Sequence, residues 1–285
     1  LRLKQSICPG YVWEDPEGLH LIACGDFRDP GLLRGLLKRF GEEEFQLTLA
    51  DPPYAVASEK QRIQLEGRKD QFLTEKWDLL TPEELRDLLV RLCLEVTRVT
   101  PAGNVWIWTS DWYVSELKWE LKRLGLRVWP TYVWCKSNPP WQVRKSNPAS
   151  ACEFLVMASK KGNYFELDAL PKQRNWFVAS ASGELDYSPA VSPYWVERPV
   201  VHAAERLRKV GEKEFLNRAQ KPLDVTEALV RAGCPEGGLL LDLCGGTGTG
   251  LLAAERTGRR CVYVEKDPTQ VRAAGRRLLE ERRNG

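Results

Sequence analysis

Leu239-Leu240-Leu241-Asp242-Leu243-Cys244-Gly245-Gly246-Thr247-Gly248-Thr249-Gly250 is an apolar run that turns abruptly into glycine. The run has the length of a buried strand, and the glycines let backbone turn tightly and approach a ligand. Leu251 to Arg256 follows with helical patterning, and Cys261-Val262-Tyr263-Val264-Glu265 is a second strand ending on an acid. Strand, glycine turn, helix, strand and acid make the nucleoside-binding half of a doubly wound sheet. The terminal acid is placed to accept ribose hydroxyls, and the helix N-terminus to receive an anion. A glycine loop alone would equally suit a dinucleotide-dependent oxidoreductase.

A second segment carries chemistry that such an oxidoreductase has no use for. Phe45-Gln46-Leu47-Thr48-Leu49-Ala50 reads as a strand and runs into Asp51-Pro52-Pro53-Tyr54. Prolines fix φ and donate no backbone N–H, so the carbonyls around them are rigid. The Asp51 carboxylate and the Pro52 carbonyl are then two acceptors beside one aromatic ring. An exocyclic amine on a flat base needs that arrangement; a plain turn after a buried strand is the simpler alternative.

Together the two segments resemble the S-adenosylmethionine-dependent DNA amino-methyltransferases, which methylate adenine N6 or cytosine N4. The resemblance runs from about Leu19 to Ala274 and weakens between Lys161 and Ala219. The tetrapeptide stands before the glycine loop, an order similar to the β group of the family, a circular permutation of the commoner one. The fold implied is α/β: a doubly wound, mostly parallel Rossmann-like methyltransferase sheet with an antiparallel edge hairpin. The resemblance also implies a catalytic set of Asp51, Pro52, Pro53 and Tyr54. It implies a cofactor set of Asp26 (to the adenine amine), Lys221 (to the carboxylate), Asp242, Cys244, Gly246, Thr247, Gly248, Thr249 and Glu265. Trp134-x-Lys136 resembles the segment lining the target-base pocket, and Lys136, Trp141, Arg144 and Lys145 are the candidate nucleic-acid contacts.

The implied partner is double-stranded DNA with its target base flipped out, and a homodimer is allowed. Aspartate at the first position favours adenine, since cytosine enzymes more often carry serine there. Three departures stand out: Cys244 where the family usually has phenylalanine, Leu243 where it has proline, and Asn217-Arg218 in place of His-Pro. An RNA or protein-glutamine methyltransferase shares the chemistry. The glutamine enzymes, however, usually carry asparagine at the Asp51 position and keep the glycine loop first. A catalytically idle DNA-binding subunit would have no need of both intact sites.

Composition is compatible with this reading. The 285 residues are 28% charged and 43% hydrophobic, with net charge +3, ordinary for a globular protein and open to nucleic acid on a basic face. Eight cysteines form no C-x-x-C pair and there are two histidines, so no metal is expected and the thiols read as reduced and buried, which suits the cytoplasm. No apolar run reaches membrane-spanning length, and Leu1 to Ser6 lacks a secretory apolar core.

Elsewhere, Leu19 to Cys24 is a strand ending at Gly25-Asp26, and Asp29-Pro30 opens a helix with Leu32, Leu33, Leu36 and Leu37 on one face. That helix leads to the strand ending at Asp51, a parallel βαβ unit. Residues 55–76 form a long polar stretch, expected to be a mobile loop over the target base or else a solvated connection. Thr81-Pro82-Glu83-Glu84 is a helix start. Asn104 to Thr109 is a strand, and Trp112 to Leu124 a helix stopped by Gly125. Leu126 to Trp134 and Cys152 to Ala158 are two strands. Residues 160–218 loosen in pattern and are assigned to target recognition within a single domain. A helix from Leu223 to Ala232 precedes the glycine-loop strand, and the final helix to Arg283 is expected to be a solvated face.

Overall fold

The computed structural model describes residues 7–54, 80–136, 152–160, 162–170, 177–179, 185–187, 194–197 and 219–284. The expected loop at 55–76 and the candidate contacts Trp141, Arg144 and Lys145 lie outside the described residues, as does most of 171–218.

Chain order begins β1 (Val12–Glu14), β2 (His20–Cys24), α1 (Leu32–Phe40), β3 (Leu47–Ala50), α2 (Pro82–Val99), β4 (Asn104–Thr109) and α3 (Val114–Arg123). It continues with β5 (Arg127–Val128), β6 (Tyr132–Lys136), β7 (Cys152–Ser159), β8 (Phe177–Ala179), β9 (Leu185–Tyr187) and β10 (Tyr194–Glu197). It closes with α4 (Leu223–Gly233), β11 (Leu239–Leu243), α5 (Thr249–Arg256), β12 (Arg260–Glu265) and α6 (Pro268–Asn284).

One sheet carries the order β1-β2-β12-β11-β3-β4-β7-β6-β10, with β5 also paired to β7. Strands β2, β12, β11, β3 and β4 are mutually parallel, and β7 runs antiparallel to both β4 and β6. Alternation splits the core. Leu239, Leu241 and Leu243 face one side with the leucines of α1, α2 and α3, whereas Leu240 faces the other with Leu229, Leu251, Val271 and Leu278. A strand covered on both faces is apolar nearly throughout, which is why β11 reads Leu239-Leu240-Leu241 and Leu243, with Asp242 as its one polar position.

Two local devices hold the layers in place. Thr81 caps α2 through the Glu84 N–H while Glu84 reaches back to the Thr81 N–H, a full capping box, worth about 0.5–2 kcal/mol. At Gly233 the end of α4 meets the Trp106 ring so closely that an added Cβ would lie 2.5 Å from it. Glycine there lets the helix close onto the sheet.

From β11 the chain crosses to β12 on one side, and from β3 it crosses to β4 on the other. The two crossovers use opposite faces of the sheet, so a crevice opens between the carboxyl ends of β11 and β3, where doubly wound sheets bind ligands.

Three readings needed correction. The expected strand from Leu126 to Trp134 is broken into β5 and β6 at Trp129-Pro130, because proline has no N–H to give the ladder. The antiparallel pair β6–β7 is not the sheet edge: β10, from within 160–218, pairs parallel to β6 beyond it. The mixed-charge α6 is not simply a solvated face, since Val271, Ala274, Gly275, Arg277 and Leu278 are buried. Strand β1, antiparallel to β2, went unread.

Candidate functional site

Register carries the two key segments to one rim. Leu243 pairs with Ala50 and Glu265 with Cys24, so each strand ends level with its neighbour. Asp51 N–H donates to the Leu243 carbonyl at 3.1 Å, and Gly25 N–H to the Glu265 carbonyl at 3.0 Å. Asp51 therefore stands beside Cys244, and Asp26 beside Glu265. An open crevice runs between them, lined by Asp26, Pro52, Tyr54, Cys244, Gly246 and Glu265 among others.

At one end lies a partly buried charge cluster around a buried lysine. Lys221 Nζ donates to Asp51 Oδ2 at 2.5 Å and lies 3.2 Å from Glu153 Oε2. Tyr54 Oη donates to Asp51 Oδ1 at 2.8 Å and lies 3.3 Å from the same Glu153 oxygen. The ammonium sits 5.4 Å from the Tyr54 ring centroid and 5.5 Å from that of Trp108, within cation–π range of both. Burial raises the Asp51 carboxyl above its ordinary value, with Glu153 adding to the rise and Lys221 opposing it. Burial also pulls the Lys221 ammonium down, but the two carboxylates outweigh it and the net direction is up. Tyr54 is pushed well up by burial, then by Asp51 and Glu153, so its hydroxyl remains a donor.

At the other end Glu265 is tied to the turn it faces. Its Oε2 accepts the Gly246 N–H at 3.1 Å and its Oε1 the Asp267 N–H at 2.9 Å. Burial raises its carboxyl despite those donors. Asp26 is held by Arg28, whose side chain reaches it at 2.5–3.1 Å; that hydrogen bonding keeps the Asp26 carboxyl below its usual range against the opposing burial.

The glycine loop packs around Asp242. Its Oδ2 accepts the Leu251 N–H at 2.9 Å, anchoring the start of α5. A Cβ on Gly250 would lie 2.5 Å from the Asp242 Cγ, and one on Gly245 2.5 Å from the Tyr263 ring. Gly246 and Gly248 have φ of 53° and 79°, and Cys244, at 56°, is the non-glycine among the described residues with positive φ. The Cys244 thiol is raised well above its ordinary value by burial, Glu265 and Asp51, so it is no thiolate nucleophile. Thr247 Oγ1 donates to Gln220 Oε1 at 3.1 Å, and Arg277 donates to the Thr247 carbonyl at 3.0 Å and to Thr249 Oγ1 at 3.3 Å. Lys221, Asp242, Thr247 and Thr249 line a second cavity that shares Asp51, Cys244 and Gly246 with the first.

The residues read from sequence thus converge, with qualifications. Lys221 contacts Asp51, not only the cofactor end of the crevice. Asp242 braces the loop from beneath. Lys136 closes β6. Glu153 and Arg277 were missed: an acid inside an apolar strand was the available signal for Glu153, whereas Arg277 looks like any solvated arginine until α6 is docked. Among the described residues no group of His, Cys, Asp and Glu could hold a metal ion, and no helix is long and apolar enough to cross a membrane.

Comparison with known proteins agrees with the geometry. The family of DNA methylases acting at N6 and N4 matches residues 45–276. The type II methyltransferase M2.DpnII of Streptococcus pneumoniae is 23% identical over 254 residues, covering 86% of this chain and 86% of its own. Among solved structures, the M1.HpyAVI–SAM complex is similar with a TM-score of 0.57 at 18% identity, covering 91% of this chain and 98% of that one. PvuII DNA methyltransferase, described as cytosine-N4-specific, has a TM-score of 0.63 at 18% identity, covering 91% and 86%.

Proposed function

Since the chain belongs to the N6/N4 DNA methylase family and is a site-specific S-adenosylmethionine-dependent DNA amino-methyltransferase, we propose that it methylates N6 of a flipped adenine with Asp51 and Pro52 as amine acceptors. The observation that supports this most is the single cavity lined by both Pro52-Tyr54 and Gly246-Glu265.

The residues present fit the methyl donor. Glu265 and Asp26 offer carboxylates where a nucleoside presents hydroxyl and amine donors. Lys221, Thr247, Thr249 and the N-terminus of α5 offer cations and donors for its anionic end. When bound, S-adenosylmethionine supplies an electrophilic methyl group.

The chain's own work is alignment and proton handling. A base inside a duplex is unreachable, and extruding it costs a few kcal/mol; stacking on Tyr54 returns roughly 1–3 kcal/mol. The amine lone pair is delocalised into the ring. Asp51 and the Pro52 carbonyl accept its two N–H groups and favour a pyramidal nitrogen whose lone pair faces the donor. Holding that line can supply about 7–11 kcal/mol of the barrier. A neutral carbonyl cannot keep the proton released on transfer, and Asp51, whose carboxyl is raised by burial, can.

Lys136, Trp141, Arg144 and Lys145 are proposed DNA contacts, 160–218 the recognition segment and 55–76 a loop over the target base. The proposal extends to a cytoplasmic enzyme in a restriction-modification pair and to a homodimer, for which Trp112 and Trp119, 80% and 72% exposed, offer apolar surface.

Asp51→Ala tests the core of it. S-adenosylmethionine binding should persist while methylation is lost, and mass analysis of parent-treated DNA should give N6-methyladenine. Equal loss of binding and rate would put the aspartate with the cofactor, and N4-methylcytosine would replace the base assignment.

A further inference from the structure

We infer that Glu153 is a positioning residue for methyl transfer: it is the second seat of a buried ammonium that shifts off Asp51 as the target amine competes for the same carboxylate. The inference rests on Asp51 being the amine acceptor, as proposed above.

Both Asp51 oxygens are engaged in this structure, Oδ2 by Lys221 at 2.5 Å and Oδ1 by Tyr54 at 2.8 Å. An incoming amine is another N–H donor seeking the same carboxylate. The lysine side chain is only 6% exposed, so its ammonium cannot retreat into water when displaced. A buried cation stripped of its anion is strongly unfavourable. Among the described residues, Glu153 is the protein carboxylate besides Asp51 that pairs with this ammonium, its Oε2 lying 3.2 Å away. The same oxygen lies 3.3 Å from the Tyr54 hydroxyl. A hydroxyl has one proton to donate, so Tyr54 too serves one carboxylate at a time.

The two donors on Asp51 therefore share one alternative acceptor. Moving them to Glu153 bares Asp51 without leaving a buried charge unpaired. Glu153 is suited to stay still while this happens. It lies in β7 between β4 and β6, with Glu153 opposite Trp134. The Tyr54 and Trp108 rings flank the ammonium and tolerate a small shift of it.

The groups facing Asp51 are Lys221, Glu153 and Tyr54, with Asp242 and Cys244 acting on it from the β11 side. Glu153 raises the Asp51 carboxyl, so neutralising Glu153 lowers it.

The test uses the full-length enzyme with Glu153→Gln, measuring S-adenosylmethionine binding, kcat on DNA and its pH profile. Binding should be retained and plateau kcat should fall about tenfold to a hundredfold, the worth of one charge-assisted hydrogen bond. The acidic limb of kcat should move to lower pH. A residue that only supports the fold would lower kcat without moving that limb, and this result overturns the inference. Glu153→Asp keeps the charge, so its limb should stay near the parent's while kcat recovers part of the loss; a limb displaced as in Glu153→Gln also overturns it. If Glu153→Gln does not fold, Glu153→Asp decides alone: parent-like kcat after withdrawing the carboxylate by one methylene refutes the positioning role. Asp51→Ala separates the two layers. If it methylates DNA at the parent rate, the acceptor reading itself fails. If it is inactive while Glu153→Gln matches the parent, only this inference fails.

Discussion

Replacing Asp242 with asparagine should make the ligand-free protein gain stability relative to the parent as pH rises. Asp242 is 5% exposed, and burial pushes its carboxyl up to about 7 from an ordinary 3.8, with Asp51 and Glu265 adding and Leu251 and Arg277 opposing. Between those values the folded chain binds a proton that the unfolded chain does not. The stability this contributes is present at low pH and is lost as pH rises through the folded value. At about 1.4 kcal/mol per unit, the parent loses roughly 2–3 kcal/mol between pH 5 and pH 7 on this account. Asparagine does not titrate, and its side-chain oxygen can still accept the Leu251 N–H. Its amide N–H groups need acceptors and can cost about 1–3 kcal/mol if unmet, but that offset is independent of pH. The diagnostic is therefore the slope. Carboxyls that do not interact with Asp242 cancel in the difference, and Asp51 and Glu265, which do, lose its repulsion in the variant and shift the difference in the same direction. Thermal melts of both proteins at several pH values between 5 and 8 read it directly. At about 2–4 °C per kcal/mol the variant-minus-parent Tm should climb by roughly 4–12 °C across that range. A difference that stays flat would show that Asp242 ionises at its ordinary value in the folded chain, and the account of the loop would fail.

The remaining expectations are simpler. Gly250→Ala puts a Cβ 2.5 Å from the Asp242 Cγ, so it should cost about 1–3 kcal/mol by overpacking and weaken S-adenosylmethionine binding; parent-like melting and titration curves would contradict it. DNA affinity should fall linearly in log–log form with salt, with a slope of about −0.9 per neutralised phosphate. Binding that is constant from low to moderate salt would remove counterion release as its source.

The sheet's centre was readable because its signals are local. An all-leucine run such as Leu239 to Leu241 is apolar for the same reason in any doubly covered strand, and glycine at 246 and 248 answers to backbone angles set within the turn. Pro130, by contrast, sits in a run whose residue types favour a strand, yet its missing N–H splits that run into β5 and β6. Strand β10 could not be placed, because pairing across a sheet leaves no mark in either sequence when both strands are short.

What the amino-acid order determined by itself is which segments end in acids and which turn on glycine. Those are properties of a few neighbouring residues, and they sufficed to identify the chemistry. Only the folded chain decided which of these ends meet. Register along β3, β11 and β12 brings Asp51 beside Cys244 and Gly246, close to Glu265, and docking of β7 brings Glu153 to Lys221. Contacts between residues so far apart in the chain depend on the packing of whole strands and helices, and no single stretch encodes that.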